Sequence, residues 1–127
     1  MLSSSKNFNA NIKIPRSNAK LTLNEKILET IPVGSSFMVR AANDRKSYYL
    51  GISGNDKYSE LEIIQELKGH ISLKFLNDGI ENATCGDRNT PCDGVTYDEQ
   101  LQTFTFKNVK LGVENLNGTV FFAGILR

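Results

Sequence analysis

Arg40 closes the segment Ser35-Ser36-Phe37-Met38-Val39-Arg40, in which Phe37 and Val39 fall on one face of a period-two strand and Met38 on the other. A strand with apolar residues on both faces reads as buried. A guanidinium carried into such surroundings costs several kcal/mol unless an anion meets its fork of donors, and bidentate carboxylate or phosphate fits that fork best. An internal acid, a ligand, or water reached by a snorkelling head would each satisfy it. The next turn, Ala41-Ala42-Asn43-Asp44-Arg45-Lys46-Ser47, supplies donors from Asn43, Arg45, Lys46 and Ser47. Further on, the alternation in His70-Ile71-Ser72-Leu73-Lys74-Phe75 puts Ile71, Leu73 and Phe75 on one face and His70, Ser72 and Lys74 on the other. These donors form a candidate anion site.

Other chemistries find less support. With one histidine in the chain, no nucleophile, base and orienting acid can be assembled, and there is no glycine-rich phosphate loop. A zinc site would need ligands beyond Cys85, Cys92 and His70. The expectation is a non-catalytic protein without metal or cofactor. The two cysteines flank a Gly-Asp-Arg-Asn-Thr-Pro loop, a spacing that permits a disulfide and equally permits two reduced thiols. The lack of any other mark of an oxidising compartment favours the thiols. A net charge of +1 gives no field for nucleic acid or an anionic membrane, and the apolar runs are too short to insert in a bilayer. Residues 1–6 lack the basic start and apolar centre of a signal peptide, so a cytoplasmic monomer is expected.

The elements that would position these donors can be read in order. A length of 127 residues suits one domain, and residues 1–19 read as a tail or edge segment. Leu23, Ile27, Leu28 and Ile31 recur at helical spacing, with Thr22 and Glu25 as a capping box and Pro32 and Gly34 as the stop; a strand through Leu21, Leu23, Ile27 and Ile31 is the alternative. The Phe37 strand and Tyr48-Tyr49-Leu50-Gly51-Ile52 make an antiparallel hairpin. Leu61, Ile63, Ile64 and Leu67 fit either a strand or a short helix. Residues 77–103 read as a long excursion, with at most a small hairpin. Phe106, Val109, Val113 and Leu116 lie on one face of a second helix starting near Lys107, although Thr103-Phe104-Thr105-Phe106 favours a strand. Asn117-Gly118 signals a turn before a last strand. The expected fold class is α+β: a central antiparallel sheet flanked by two helices, with a long loop insertion before the second.

That order, together with Gly34-Ser35-Ser36-Phe37-Met38-Val39-Arg40, resembles the Src homology 2 (SH2) domain, whose Gly-x-Phe-Leu-Val-Arg segment carries a phosphate-gripping arginine. Tyr48 to Ser53 is similar to the family's next strand, and His70 to Lys74 to the strand bearing its histidine. The chain departs from the pattern at Thr22, with Lys20 nearby, where the first family helix often has an arginine, and at Ala42, where a serine commonly donates to phosphate. Stand-alone domains with an enlarged loop resemble those in effectors of intracellular bacteria delivered into a host cell. The resemblance implies a domain at residues 15–127 behind a tail at 1–14, a module that recognises phosphotyrosine-containing peptides or proteins through a buried Arg40. Asn43, Arg45, Lys46, Ser47, His70, Ser72 and Lys74 would surround the phosphate and residues 77–103 would close as a lid. The alternative is a small β-rich secreted or surface interaction domain, stapled by Cys85 and Cys92, in which Arg40 pairs internally.

Overall fold

Alternation of apolar and polar side chains governs the folded chain, and every regular element that the computed structural model describes is a strand. The description covers residues 12–13, 18–31, 38–87 and 89–122. One sheet is six-stranded, built from β1 (Ile12–Lys13), β4 (Met38–Ala41), β5 (Arg45–Gly51), β6 (Glu60–Glu66), β7 (Ile71–Asn77) and β8 (Ile80–Cys85) in that order. The other is five-stranded, in the order β3 (Lys26–Leu28), β2 (Asn18–Leu23), β11 (Glu114–Phe121), β10 (Thr103–Leu111) and β9 (Val95–Asp98). All pairings are antiparallel. Tyr48, Leu50, Leu61, Ile63, Leu73 and Phe75 of the first sheet share one core with Leu21, Phe104, Phe106, Leu111, Leu116 and Val120 of the second. The sheets therefore pack face to face, with Tyr48 meeting Phe104 edge-on at 4.9 Å between ring centroids.

The α+β expectation is thus overturned: among the described residues there is no helix, and the molecule is all-β. Both supposed helices are hairpins. In the first, Leu21 and Leu23 point inward from β2, a two-residue turn at Asn24 and Glu25 reverses the chain, and β3 returns with Leu28 paired to Leu21 and Ile27 exposed. The positive φ of both turn residues, 54° and 71°, is the geometry of a tight hairpin turn, so the capping-box spacing carried no helix. In the second, Phe106 and Val109 are three apart because the register of β10 on β11 slips by one residue between them. A bulge restored the inward face at helical spacing, and Val113 lies exposed in the turn that follows. Pro32 and Gly34, read as a helix stop, fall outside the described residues, as does Phe37.

The long excursion is also corrected. Residues 77–103 contribute β8, whose Ala83 and Cys85 belong to the core, and β9, whose Val95 and Tyr97 pack against it. The pair Asp78 and Gly79, both at positive φ, is the two-residue turn between β7 and β8. Cys85 is bonded to Cys92, so the favoured reading of two free thiols does not hold either. The chain between them folds on itself: Asp87 accepts hydrogen bonds from Asn89 N, Thr90 N and Thr90 Oγ1, and Gly86 N donates to Thr90 O. On the opposite side of the sandwich, Thr30 bridges to Ile52 and Ile31 N donates to Gly51 O, tying the end of β3 to the end of β5.

Gly118 was read with Asn117 as a turn, yet it lies within β11, opposite Phe106 on one side and Leu21 on the other. Its φ is 126°, and a Cβ there would stand 2.0 Å from the carbonyl oxygen of Lys20. The glycine marks a close approach of β2 and β11 rather than a chain reversal. Gly118→Ala is expected to destabilise the protein by more than about 1 kcal/mol, seen as a lowered urea midpoint; an unchanged midpoint would mean that β2 can shift at no cost.

Candidate functional site

The predicted anion ligands divide between two places. Arg40, Ser47, Ser72 and Lys74 lie on the outer face of the six-stranded sheet, because their register neighbours alternate with the core-facing Tyr48, Ile63, Leu73 and Phe75. Arg40 is exposed there and not carried into the core. Lys74 Nζ donates to Glu81 Oε2 at 2.8 Å, and the charges of Glu81 and Glu62 raise its pKa against the opposing effect of partial burial and of Arg45. Tyr49 on the same face is raised first by burial and then by the neighbouring Glu62 carboxylate, with Ser47 and Arg40 pulling the other way. Lys74 thus stands next to two carboxylates, whereas the row that holds Arg40 continues through Ser47 and Ile64, both buried, to Ser72. A phosphate approaching Lys74 would also meet Glu62 and Glu81. His70 stands at the β6–β7 hairpin end, where its Nε2 donates to Gly86 O at 2.7 Å.

Asn43, Arg45 and Lys46 line a different feature, a cleft of about 700 Å³ at one end of the sandwich. It lies where three hairpin ends converge: the β4–β5 hairpin, with Asn43 in the turn and Arg45 and Lys46 opening β5 rather than lying in the expected turn, the β6–β7 hairpin with Gln65, Glu66 and Leu67, and the β9–β10 hairpin with Tyr97, Glu99 and Gln102. The strands dictate which side chains look in. Lys46 and Gln65 are register partners on the core-facing side of their strands, at the end where that side opens to solvent. Beneath them Tyr48 is fully buried and its hydroxyl donates to Gln65 Oε1 at 3.0 Å. Burial, then the adjacent Tyr97, pushes the Tyr48 phenol far above its ordinary value. Tyr97 packs against Phe104 with its ring tilted by 39° and 4.4 Å between centroids, and it stays partly exposed beside the cleft. Gln102 is held at φ 52°, a left-handed conformation that side-chain-bearing residues seldom keep. Lys46 and Glu99 bring one charge of each sign to the cleft, while Arg45 and Glu66, register partners one residue out of phase with Lys46 and Gln65, border it from the outer face.

At the opposite end of the strands sits a polar cluster with no counterpart in the sequence reading. Glu114, only 2% exposed, accepts hydrogen bonds from Tyr58 Oη at 2.5 Å and Asn24 Nδ2 at 2.7 Å, with Lys57 Nζ 3.7 Å away. Burial pushes its carboxyl up, but the hydrogen bonds from Tyr58 and Asn24 and the Lys57 charge outweigh this and hold it below its ordinary range. Tyr58 is raised to about 12 by burial and by Glu114. Asn24 also exchanges bonds with Asn115, its Oδ1 accepting from Asn115 N at 2.9 Å and its N donating to Asn115 O at 2.8 Å. The cluster joins the loop after β5 to the β2–β3 and β10–β11 hairpins of the second sheet. Its only sequence signal was a glutamate, Glu114, next to the turn Gly112-Val113 in an otherwise apolar alternation.

Among the described residues no group of His, Cys, Asp and Glu side chains could hold a metal ion, and no helix is long and apolar enough to cross a membrane. Comparison with protein-family models, with curated proteins and with solved structures gave no match to this chain.

Glu114 contributes stability that is present above its ordinary value of 4.5 and lost as pH falls through its lowered folded value; Tyr58 contributes stability present below 10 and lost as pH rises toward about 12. Thermal melts from pH 3 to 11 should therefore show a plateau with a falling limb on each side. Glu114→Gln should shrink the acid limb, and Glu114→Ala, which strands Tyr58 Oη and Asn24 Nδ2, should cost about 1–3 kcal/mol at pH 7. An acid limb identical in the Gln variant would show that other carboxylates control it.

Proposed function

We propose that this chain is a non-catalytic interaction domain of an oxidising compartment, secreted or displayed at a surface, that meets its partner at the hairpin-end cleft. The observation that carries the reading is the Cys85–Cys92 bond, which closes the segment where the chain leaves one sheet for the other. Small domains outside the cytosol use such bonds to supplement a limited core, whereas cytosolic thiols are kept reduced. The cleft supports the choice of surface. Hairpin ends carried on a rigid two-sheet scaffold are the part of a sandwich that can vary in side chain without disturbing the core. The phosphotyrosine reading is set aside. It leaned on two helices that are strands, and its donors divide between an outer sheet face laced with carboxylates and a cleft with as many acids as bases.

The test is the state of the cysteines in the cells of origin. Trapping free thiols with a maleimide at lysis and weighing the protein should show no adduct, and reduction of the purified protein should lower its stability by roughly 2–3 kcal/mol, as a short covalent loop predicts. Two adducts on the protein from its native source would overturn the compartment and with it this reading.

A further inference from the structure

We infer that the hairpin-end cleft binds a neutral, hydroxyl-rich glycan; the inference rests on the cleft being the interaction surface. The lining decides between ligand classes by elimination. An anion drawn by Lys46 would be opposed by Glu99, and a cation drawn by Glu99 would be opposed by Lys46. An apolar ligand would cover the carboxamides of Asn43 and Gln102 without offering them a partner, which costs free energy for each group buried. A sugar hydroxyl both donates and accepts. It can give its proton to a Glu99 oxygen, take one from Lys46, and do either with a carboxamide, so one ligand chemistry suits groups of both kinds.

The remaining surface fits the same class. Tyr97, packed against the core and tilted on Phe104 at 4.4 Å between ring centroids, is partly exposed among the residues that line the cleft, an amphipathic side chain of the kind that sugars contact. Leu67, 81% exposed, lines the cleft, and Leu101, 63% exposed, stands beside Gln102 on the facing turn. These give apolar flanks to an otherwise polar site. A volume of about 700 Å³ takes a short oligosaccharide, and it lies within the roughly 300–1,000 Å³ typical of small-ligand sites. The strained Gln102 backbone holds a carboxamide at the mouth where glycine would be the relaxed choice.

The experiment is an NMR titration of the oxidised full chain with neutral oligosaccharides built on glucose, galactose, mannose or N-acetylglucosamine. A parallel arm uses a glycoprotein carrying such glycans before and after enzymatic deglycosylation. Saturable shifts confined to amides of residues 42–46, 65–69 and 97–102 are expected with at least one free sugar, or with the glycoprotein alone and lost on deglycosylation, which would assign the source to a glycoconjugate. Asn43→Ala and Glu99→Gln, both at exposed turn positions, should each weaken binding by about tenfold, the loss of one or two hydrogen bonds. Glu62→Gln on the outer sheet face should bind as the parent does. Three outcomes overturn the inference: no shift at millimolar sugar, binding restricted to sulfated or sialylated glycans, or glycoprotein binding that survives deglycosylation. Any of these, with both cysteines bonded in the source cells, removes the ligand class and leaves the interaction-domain reading standing.

Discussion

The apolar layer shared by the two sheets is the constraint on which everything else in this molecule depends. Neither sheet can bury its inward side chains alone, and a sheet with one wet face and one uncovered apolar face is not stable in water. The layer is held at its centre by aromatic rings: Phe104 touches Tyr48 across the sheets at 4.9 Å and Tyr97 within its own sheet at 4.4 Å, and Tyr48 touches Phe122 at 4.9 Å. Because the phenol of Tyr48 needs a partner once buried, the layer ends in polar chemistry at one side, through Gln65 and the cleft. At the other side it ends in Tyr58 stacked on Phe75 and bonded to Glu114. The two polar ends are thus the places where buried tyrosines of the core surface.

How much of this was legible in the sequence depends on what each signal measures. Strict alternation, as in Ile71, Leu73 and Phe75, reported the buried face of β7 correctly, and the hairpin expected on either side of the turn after Arg40 is present as β4 and β5, from Met38 on. The failures have a common cause. Spacing of three or four between apolar residues measures the return of a face, and a helix is only one way to return it. A two-residue turn does so between Leu23 and Leu28, and a bulge does so between Phe106 and Val109. Asp78-Gly79 between Phe75-Leu76 and Ile80 was a hairpin signal of its own, obscured by the glycine and asparagine content of the residues after it.

The site was less legible, for a reason that lies in geometry. Arg40 drew attention because its strand read as buried on both faces, but facing direction is fixed by pairing, and pairing with Ser47 turns Arg40 to the solvent side. Asn43, Arg45 and Lys46 were singled out as neighbours of Arg40, and their place in the cleft comes from register with β6 and from the approach of the β9–β10 turn, more than fifty residues away in sequence. No local pattern could report that convergence. The disulfide was readable only as a permitted pairing, since its two sulfurs meet through the path of β8 and not through any motif.

The pairing of β2 with β11 has a consequence for how the chain is made. Asn18 lies opposite Phe121 and Leu23 opposite Leu116, so the second sheet is closed by partners about a hundred residues apart. During synthesis the meander from β4 to β8 can zip as each strand emerges, while β2 and its hairpin wait with an unpaired edge until β11 has been made. Translation and any passage through a membrane pore therefore present this chain in an open form. The Gly118 approach to Lys20 acts as the final clasp, and a nascent chain stalled before it offers β2 as a free edge to any other strand within reach.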